Sequence, residues 1–162
     1  MNEKLYAALN DQVTKEFEAA LVYRQLSYEM DRLSLPGMQN WFEEQAAEEI
    51  DHANRFAAHL LDRGEKVTIG KIEIEALNIN SALDAFEASL AHEKKVSASI
   101  RDIARIADEV KDYDSRPLLN EFLAEQIEEE ADVSEIVDQL RLVDNEGTGV
   151  LRLDTSLGQR DD

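Results

Sequence analysis

The chain has 162 residues, enough for one domain with a sizeable core, and no cysteine, which excludes disulfides, thiolate metal sites and thiol nucleophiles. A formal net charge of −19 disfavours nucleic acid and anionic membranes as partners and is compatible with cations. No signal-peptide pattern follows Met1 and no apolar run is long enough to span a membrane, so a soluble, cytoplasmic protein is expected.

Two prolines and six glycines punctuate the chain and leave four long segments free of both in their interiors. These segments are rich in Ala, Leu, Glu and Arg, all strong helix formers. The first predicted helix, α1, spans Glu3 to Asp31, and α2 runs from Gly37 to Arg63, where Gly64 supplies a stop. Helix α3 covers Ser81 to Lys111 with Ser81 as N-cap. Helix α4 covers Ser115 to Val143, with Ser115 as N-cap and Pro117 in the first turn. The breaks between α1 and α2 and between α3 and α4 are short, which makes antiparallel pairs. The stretch from Gly64 to Asn80 is different. Helix α2 should be about 40 Å long, and roughly sixteen extended residues reach about 50 Å. The connection can therefore run the length of a bundle and start α3 beside the start of α2. After α4, a break at Asn145 to Gly149 precedes a short fifth helix, α5, carrying Val150, Leu151 and Leu153. The polar end from Gly158 to Asp162 is expected to fray. The expected fold is all-α: one domain over residues 1–162, with a four-helix bundle at about 3–143 and a short helix and tail at 145–162.

Helices packed in a bundle bury a stripe that recurs at steps of three and four. In α1 it reads Leu5, Leu9, Gln12/Val13, Glu16, Ala19/Ala20, Tyr23, Leu26 and Met30. In α2 it reads Met38, Phe42, Gln45, Glu49, His52, Phe56 and Leu60. In α3 it reads Leu83, Phe86, Leu90, Glu93, Ser97, Ile100, Ala104 and Ala107. In α4 it reads Leu119, Phe122, Gln126, Glu129, Val133, Ile136 and Leu140. Each stripe is apolar at both ends and is interrupted by a carboxylate at comparable depth. Desolvating four carboxylates costs several kcal/mol apiece, and like charges repel. Protonation is one remedy and cations are a better one. Carboxylate oxygens with an imidazole suit iron, manganese and zinc. Bundles that hold two such metals use one Glu from each of two helices and a Glu-x-x-His from each of the others. Here α2 supplies Glu49-x-x-His52 on one helix face, while α4 supplies Gln126-x-x-Glu129. A neutral amide is a poor ligand, so the second metal position should be the weaker and more open of the two.

This pattern resembles the ferritin-like superfamily, and within it the bacterial non-haem ferritins. The resemblance is carried by Glu16 with Tyr23 one heptad on, by Glu48-Glu49-Ile50-Asp51-His52-Ala53, by His92-Glu93 and by Glu125-Gln126-Ile127-Glu128-Glu129-Glu130. The long crossover and short last helix also match. Haem-containing bacterioferritins carry a second Glu-x-x-His on the fourth helix and a methionine after the α2 glutamate. Here that position is Ile50, which cannot ligate haem iron. Rubrerythrins add a cysteine-bound iron, and the DNA-protecting mini-ferritins place their site at a subunit interface.

The resemblance implies a homo-oligomeric cage of twenty-four subunits that stores iron. Fe(II) would be oxidised by dioxygen or hydrogen peroxide at a di-iron ferroxidase centre and deposited as ferric oxyhydroxide, without haem. Glu16, Glu49 and His52 would hold the first iron, with Glu49 bridging. Glu93, Gln126 and Glu129 would serve the second. Glu48, Glu125 and Glu128 match a third iron position that shares Glu129. Tyr23 would hydrogen-bond a ligand carboxylate, donate an electron, or serve as plain core. Trp41 is expected to pack, and His59 and His92 to lie at a surface or interface without partners. The alternatives are another di-iron oxidase or peroxidase, or a non-catalytic helical assembly whose acids are merely solvated.

Overall fold

The computed structural model describes residues 1–144 and 146–159. Five helices follow in order: α1 Glu3–Arg32, α2 Pro36–Asp62, α3 Ala82–Glu109, α4 Arg116–Val143 and α5 Gly147–Leu157. Among the described residues there is no strand, and no helix is long and apolar enough to cross a membrane. The architecture is the expected four-helix bundle with one long crossover and a short last helix. Asn145 and the last three residues of the expected polar tail lie outside the described residues.

Local chemistry explains most of the helix ends. Asn2 Oδ1 accepts from the Lys4 and Leu5 amides at 2.9 and 3.4 Å and so caps α1. Ser81 caps α3 as expected, accepting from the Asp84 amide at 3.1 Å, and Asp84 returns the bond by accepting from the Asn80 amide at 2.9 Å. Gly64 ends α2 in the left-handed region at φ 76°. Ser115 departs from expectation. It stands at the N-cap position of α4 but caps nothing, because its hydroxyl accepts from Arg63 at 3.0 Å and lies 2.9 Å from His59 Nε2. His59 therefore has a partner, contrary to expectation.

The crossover, residues 64–80, is irregular but held along its length by α1. Tyr6 donates to the Lys66 carbonyl, Asn10 exchanges two bonds with the Thr68 backbone, and Thr14 accepts from the Gly70 amide, all at 2.8–3.0 Å. Arg32 donates to the Ile79 carbonyl at 2.7 Å at the far end. Both partners climb in number together, so the segment runs parallel to α1 from its start to its end. That delivers α3 beside the beginning of α2. In its first part, backbone groups of a chain with no ladder of its own are thus satisfied at Lys66, Thr68 and Gly70 by α1 side chains spaced one helical turn apart.

The core falls into two apolar clusters. One contains Tyr23, Met30, Trp41, Phe42, Phe86 and Val133; the other contains Leu5, Val13, Phe56, Ile100 and Phe122. Between them lies a buried polar layer of Gln12, Glu16, Gln45, Glu49, His52, Ser89, Glu93, Ser97 and Gln126. The stripes read from sequence are buried throughout α1 and α2. In α3 the buried face is rotated slightly: Ala82, Ala85, Ser89 and Ile103 are buried, while Leu83, Leu90 and Ala104 are only partly so.

Helix α5 closes the open end of α2. Pro36 begins α2 and no neighbouring side chain caps it. The buried Asp154 of α5 does so instead, its Oδ1 accepting from the Met38 amide at 2.8 Å. The α5 backbone sits so close that a Cβ on Gly37 would lie 1.8 Å from the Asp154 carbonyl oxygen. Asp154→Ala would orphan a buried amide and remove a charge from a helix N-terminus. The expected loss is about 2 kcal/mol of stability, read as a lower denaturant midpoint, with Asp154→Asn recovering most of it. If Asp154→Ala unfolds like the parent, α5 does not cap α2 in solution.

Candidate metal centre

Glu16 comes from α1, Glu49 and His52 from α2, and Glu93 from α3, and all four are buried. One ligand atom each of Glu16, Glu49 and His52 lie within 4.8 Å of one another. No other group of three or more His, Cys, Asp or Glu side chains meets that spacing among the described residues. The Glu-x-x-His spacing brings His52 Nδ1 to 3.2 Å from Glu49 Oε2, and the edge of the imidazole meets the Phe122 ring at 5.1 Å between centroids. The ring is thereby fixed on both sides.

Glu93 is adjacent but differently engaged. The Tyr23 phenol donates to its Oε1, Gln126 donates to its Oε2 at 3.0 Å, and Gln126 also donates to Ser97 at 3.1 Å. Tyr23 in turn accepts from Ser89 at 3.2 Å. Of the three roles open to Tyr23, the hydrogen bond to a site carboxylate is present. Glu129 is half-buried and accepts from Gln45 at 3.0 Å. Glu93 and Glu129 thus face the same layer without joining the tight cluster. Glu48 is half-buried and Glu128 exposed. Glu125 is taken by Arg55, whose Nη1 reaches both carboxylate oxygens at 2.9 and 2.8 Å. Arg55 also donates to Glu121 at 3.0 Å and lies 4.2 Å over the Phe122 ring.

Four side chains at this layer were not singled out by sequence: Gln12, Gln45, Arg55 and Ser89. Gln12 and Gln45 stood in the buried stripes, and an amide in an apolar stripe must find a partner. That was the available signal, although it does not say which carboxylate each amide meets. His92 is half-buried at the groove between α1, α3 and the crossover, its Nε2 has no hydrogen-bond partner, and its ring meets Tyr23 edge-on at 5.9 Å. Trp41 packs against Phe42 and Phe86, as expected.

Burial drives the electrostatics. It holds Glu16 well above the usual carboxyl range, helped by the Glu49 charge. Burial also raises Glu49, with the charge of Glu93 next in size. Glu93 is raised by burial against the opposing bonds from Tyr23 and Gln126. Glu129 is pushed up to about 7 by burial and then by Glu48 and Glu93. Protons therefore neutralise the layer when no cation does. Glu16 Oε2 is buried with no hydrogen-bond partner. A divalent cation would satisfy that atom and displace the protons, so the donor set fits a metal.

Carboxylates and an imidazole converge on the buried middle of a helical bundle, which is a donor set able to hold metal ions. The ferritin-like domain model matches residues 6–143, and the chain belongs to that family. It is 31% identical over 160 residues to a bacterial non-haem ferritin of Bacteroides fragilis, covering 99% of both chains. It is 34% identical over 140 residues to one of Staphylococcus epidermidis, covering 86% of this chain and 84% of that one. In structure it is similar to an open-pore ferritin from the hyperthermophilic archaeon Archaeoglobus fulgidus, with TM-score 0.96, 33% identity and 99% of each chain covered.

The raised carboxyls set the pH dependence of the metal-free chain. Above the ordinary histidine value of 6.5, His59 and His92, both lowered by burial, are neutral folded and unfolded and drop out. There the folded chain still holds protons on the raised carboxyls that the unfolded chain has released, so stability falls as pH rises. The melting temperature of the metal-free protein should drop between about pH 6.5 and about pH 8. Zn(II) should flatten or reverse the slope, and Glu129→Gln should reduce it. A midpoint that climbs over this interval contradicts these proton assignments.

Proposed function

We propose that this protein stores iron and that it is a ferroxidase. Fe(II) is the substrate: it binds in the buried layer, is oxidised by dioxygen or hydrogen peroxide, and is deposited as ferric oxyhydroxide inside a cage of identical subunits. The observation that carries this proposal is the convergence of Glu16, Glu49 and His52 within 4.8 Å at a buried position, with one Glu16 oxygen lacking any partner. A solvated acidic surface, as in a purely structural assembly, has no reason to desolvate these groups.

In this proposal Glu16, Glu49 and His52 hold the first Fe(II), with Glu49 bridging to the second. Glu93 and Glu129 serve the second ion, and the Gln126 side chain completes its surroundings by donating to Glu93 or turning its oxygen inward. Two Fe(II) ions together release two electrons. These reduce dioxygen with two protons to hydrogen peroxide, or hydrogen peroxide with two protons to two waters. The oxygen-rich, anionic layer favours the ferric product over the ferrous substrate. Tyr23 keeps its phenolic proton, since burial and then the Glu93 and Glu49 charges raise it well above 10. It can therefore orient Glu93 throughout. Glu48, Glu125 and Glu128, with Glu129, form a third, inner position that requires Glu125 to leave Arg55. Ile50 offers no ligand atom for haem iron. A cage of twenty-four copies in the cytoplasm fits the similarity to ferritins.

The test combines size and turnover. Gel filtration should give a large assembly, and Fe(II) added in air should produce Fe(III) absorbance faster than in buffer. A small species that oxidises Fe(II) no faster than buffer sinks the proposal. Glu49→Ala and His52→Ala should each slow the reaction by at least about tenfold while leaving the assembly intact. If either variant keeps the parent rate, the site is misplaced.

A further inference from the structure

A chain of four side chains leads from solvent to the orphaned carboxylate. Lys15 Nζ donates to Ser99 Oγ at 3.2 Å, Ser99 donates to Gln12 Oε1 at 2.7 Å, and Gln12 Nε2 donates to Glu16 Oε1 at 2.7 Å. The outer members line a groove of about 730 Å³ between α1, α3 and the crossover. Gln12 is fully buried, and Glu16 has no solvent exposure either.

The direction of this chain is determined at its outer end. An ammonium can only donate, so Ser99 Oγ accepts from Lys15 and its own hydroxyl hydrogen is left to donate inward. Gln12 turns its oxygen to Ser99 and its amide nitrogen to Glu16. Once a metal displaces the Glu16 proton, the opposite amide orientation would set Gln12 Oε1 against a carboxylate oxygen and leave two acceptors facing each other in a buried site, which is costly. Successive donors in such a chain also polarise one another. The result at Glu16 is asymmetric: Oε1 is occupied by the amide, while Oε2 is buried without a partner.

We propose that Gln12 is a positioning residue that presents Glu16 to the first metal through Oε2 alone, and that Ser99 and Lys15 set the orientation of Gln12. This rests on the ferroxidase site described above. A carboxylate held by one oxygen takes one coordination position instead of two, which leaves the metal a further position open to oxidant. The assignment explains why a neutral amide occupies a buried stripe position four residues before Glu16, on the same face of α1.

The test is metal binding by the intact protein, with Zn(II) titrated calorimetrically and Co(II) followed by its visible absorption bands. Gln12→Met keeps length and apolar packing but cannot donate. It should weaken binding at the Glu16 site about tenfold and change the Co(II) bands as Glu16 turns to offer both oxygens. Ser99→Ala lies at the groove wall and puts the fold at less risk. It should shift both readouts in the same direction by less, and Ser99→Thr, which restores the hydroxyl, should return them to the parent values. Glu16→Ala separates the two proposals. If Glu16→Ala binds metal like the parent, the site itself is wrong. If Glu16→Ala loses binding while Gln12→Met and Ser99→Ala keep parent affinity and bands, the site stands and the positioning role is overturned. A role confined to packing would lower the melting temperature of Gln12→Met without moving the Co(II) bands.

Discussion

Glu16, Glu49, Glu93 and His52 sit almost without solvent between two apolar halves of one bundle, and the cost of that burial shapes much of the rest of the molecule. Carboxylates removed from water either keep protons, find donors or bind cations. The first two responses are present at this layer, and an unpartnered oxygen leaves room for the third. The proton affinities of the glutamates are raised, neutral donors point at them, and one oxygen is left with nothing. An apolar layer of the same volume would be easier to fold. Its absence is what makes a metal role the economical explanation.

The donors that face the carboxylates are almost all uncharged. Gln12 serves Glu16, Tyr23 and Gln126 serve Glu93, and Gln45 serves Glu129. A lysine or arginine in their place would neutralise the site permanently and compete with an incoming cation. Amides and a phenol hold orientation without cancelling charge. Arg55 is the contrast. It binds Glu125 through both oxygens at the half-exposed margin, beside His52 and outside the buried set. Neutral partners serve the buried carboxylates and Glu129, while the charged partner is found on Glu125 at the margin.

The remaining architecture serves to bring four helices into register at that layer. Side chains of α1 hold the crossover along its length, which sets the direction of α3 relative to α2. Asp154 of α5 caps the Met38 amide at the start of α2. Through α3 these contacts also position Glu93.

Most of the bundle and of the tight cluster is determined by the sequence on its own. Helix content follows from composition and punctuation, and the period of the apolar residues points Glu16, Glu49, His52 and Glu93 inward, because side chains three and four apart share a helix face. The length of the 64–80 segment allows the crossover, because reach is a property of the extended chain. Only the tertiary structure decides pairing between helices. A period shows that Gln12, Gln45 and Gln126 are buried but not which carboxylate each amide meets, since that depends on rotation and register between helices. The same holds for Ser115, diverted from capping α4 by Arg63 and His59 from the end of α2, and for His92, whose ring meets Tyr23 edge-on. It holds for Glu125, whose attachment to Arg55 joins residues seventy positions apart. Local preference follows from neighbours along the chain, whereas the partner of a buried polar group follows from what the fold brings across from another helix.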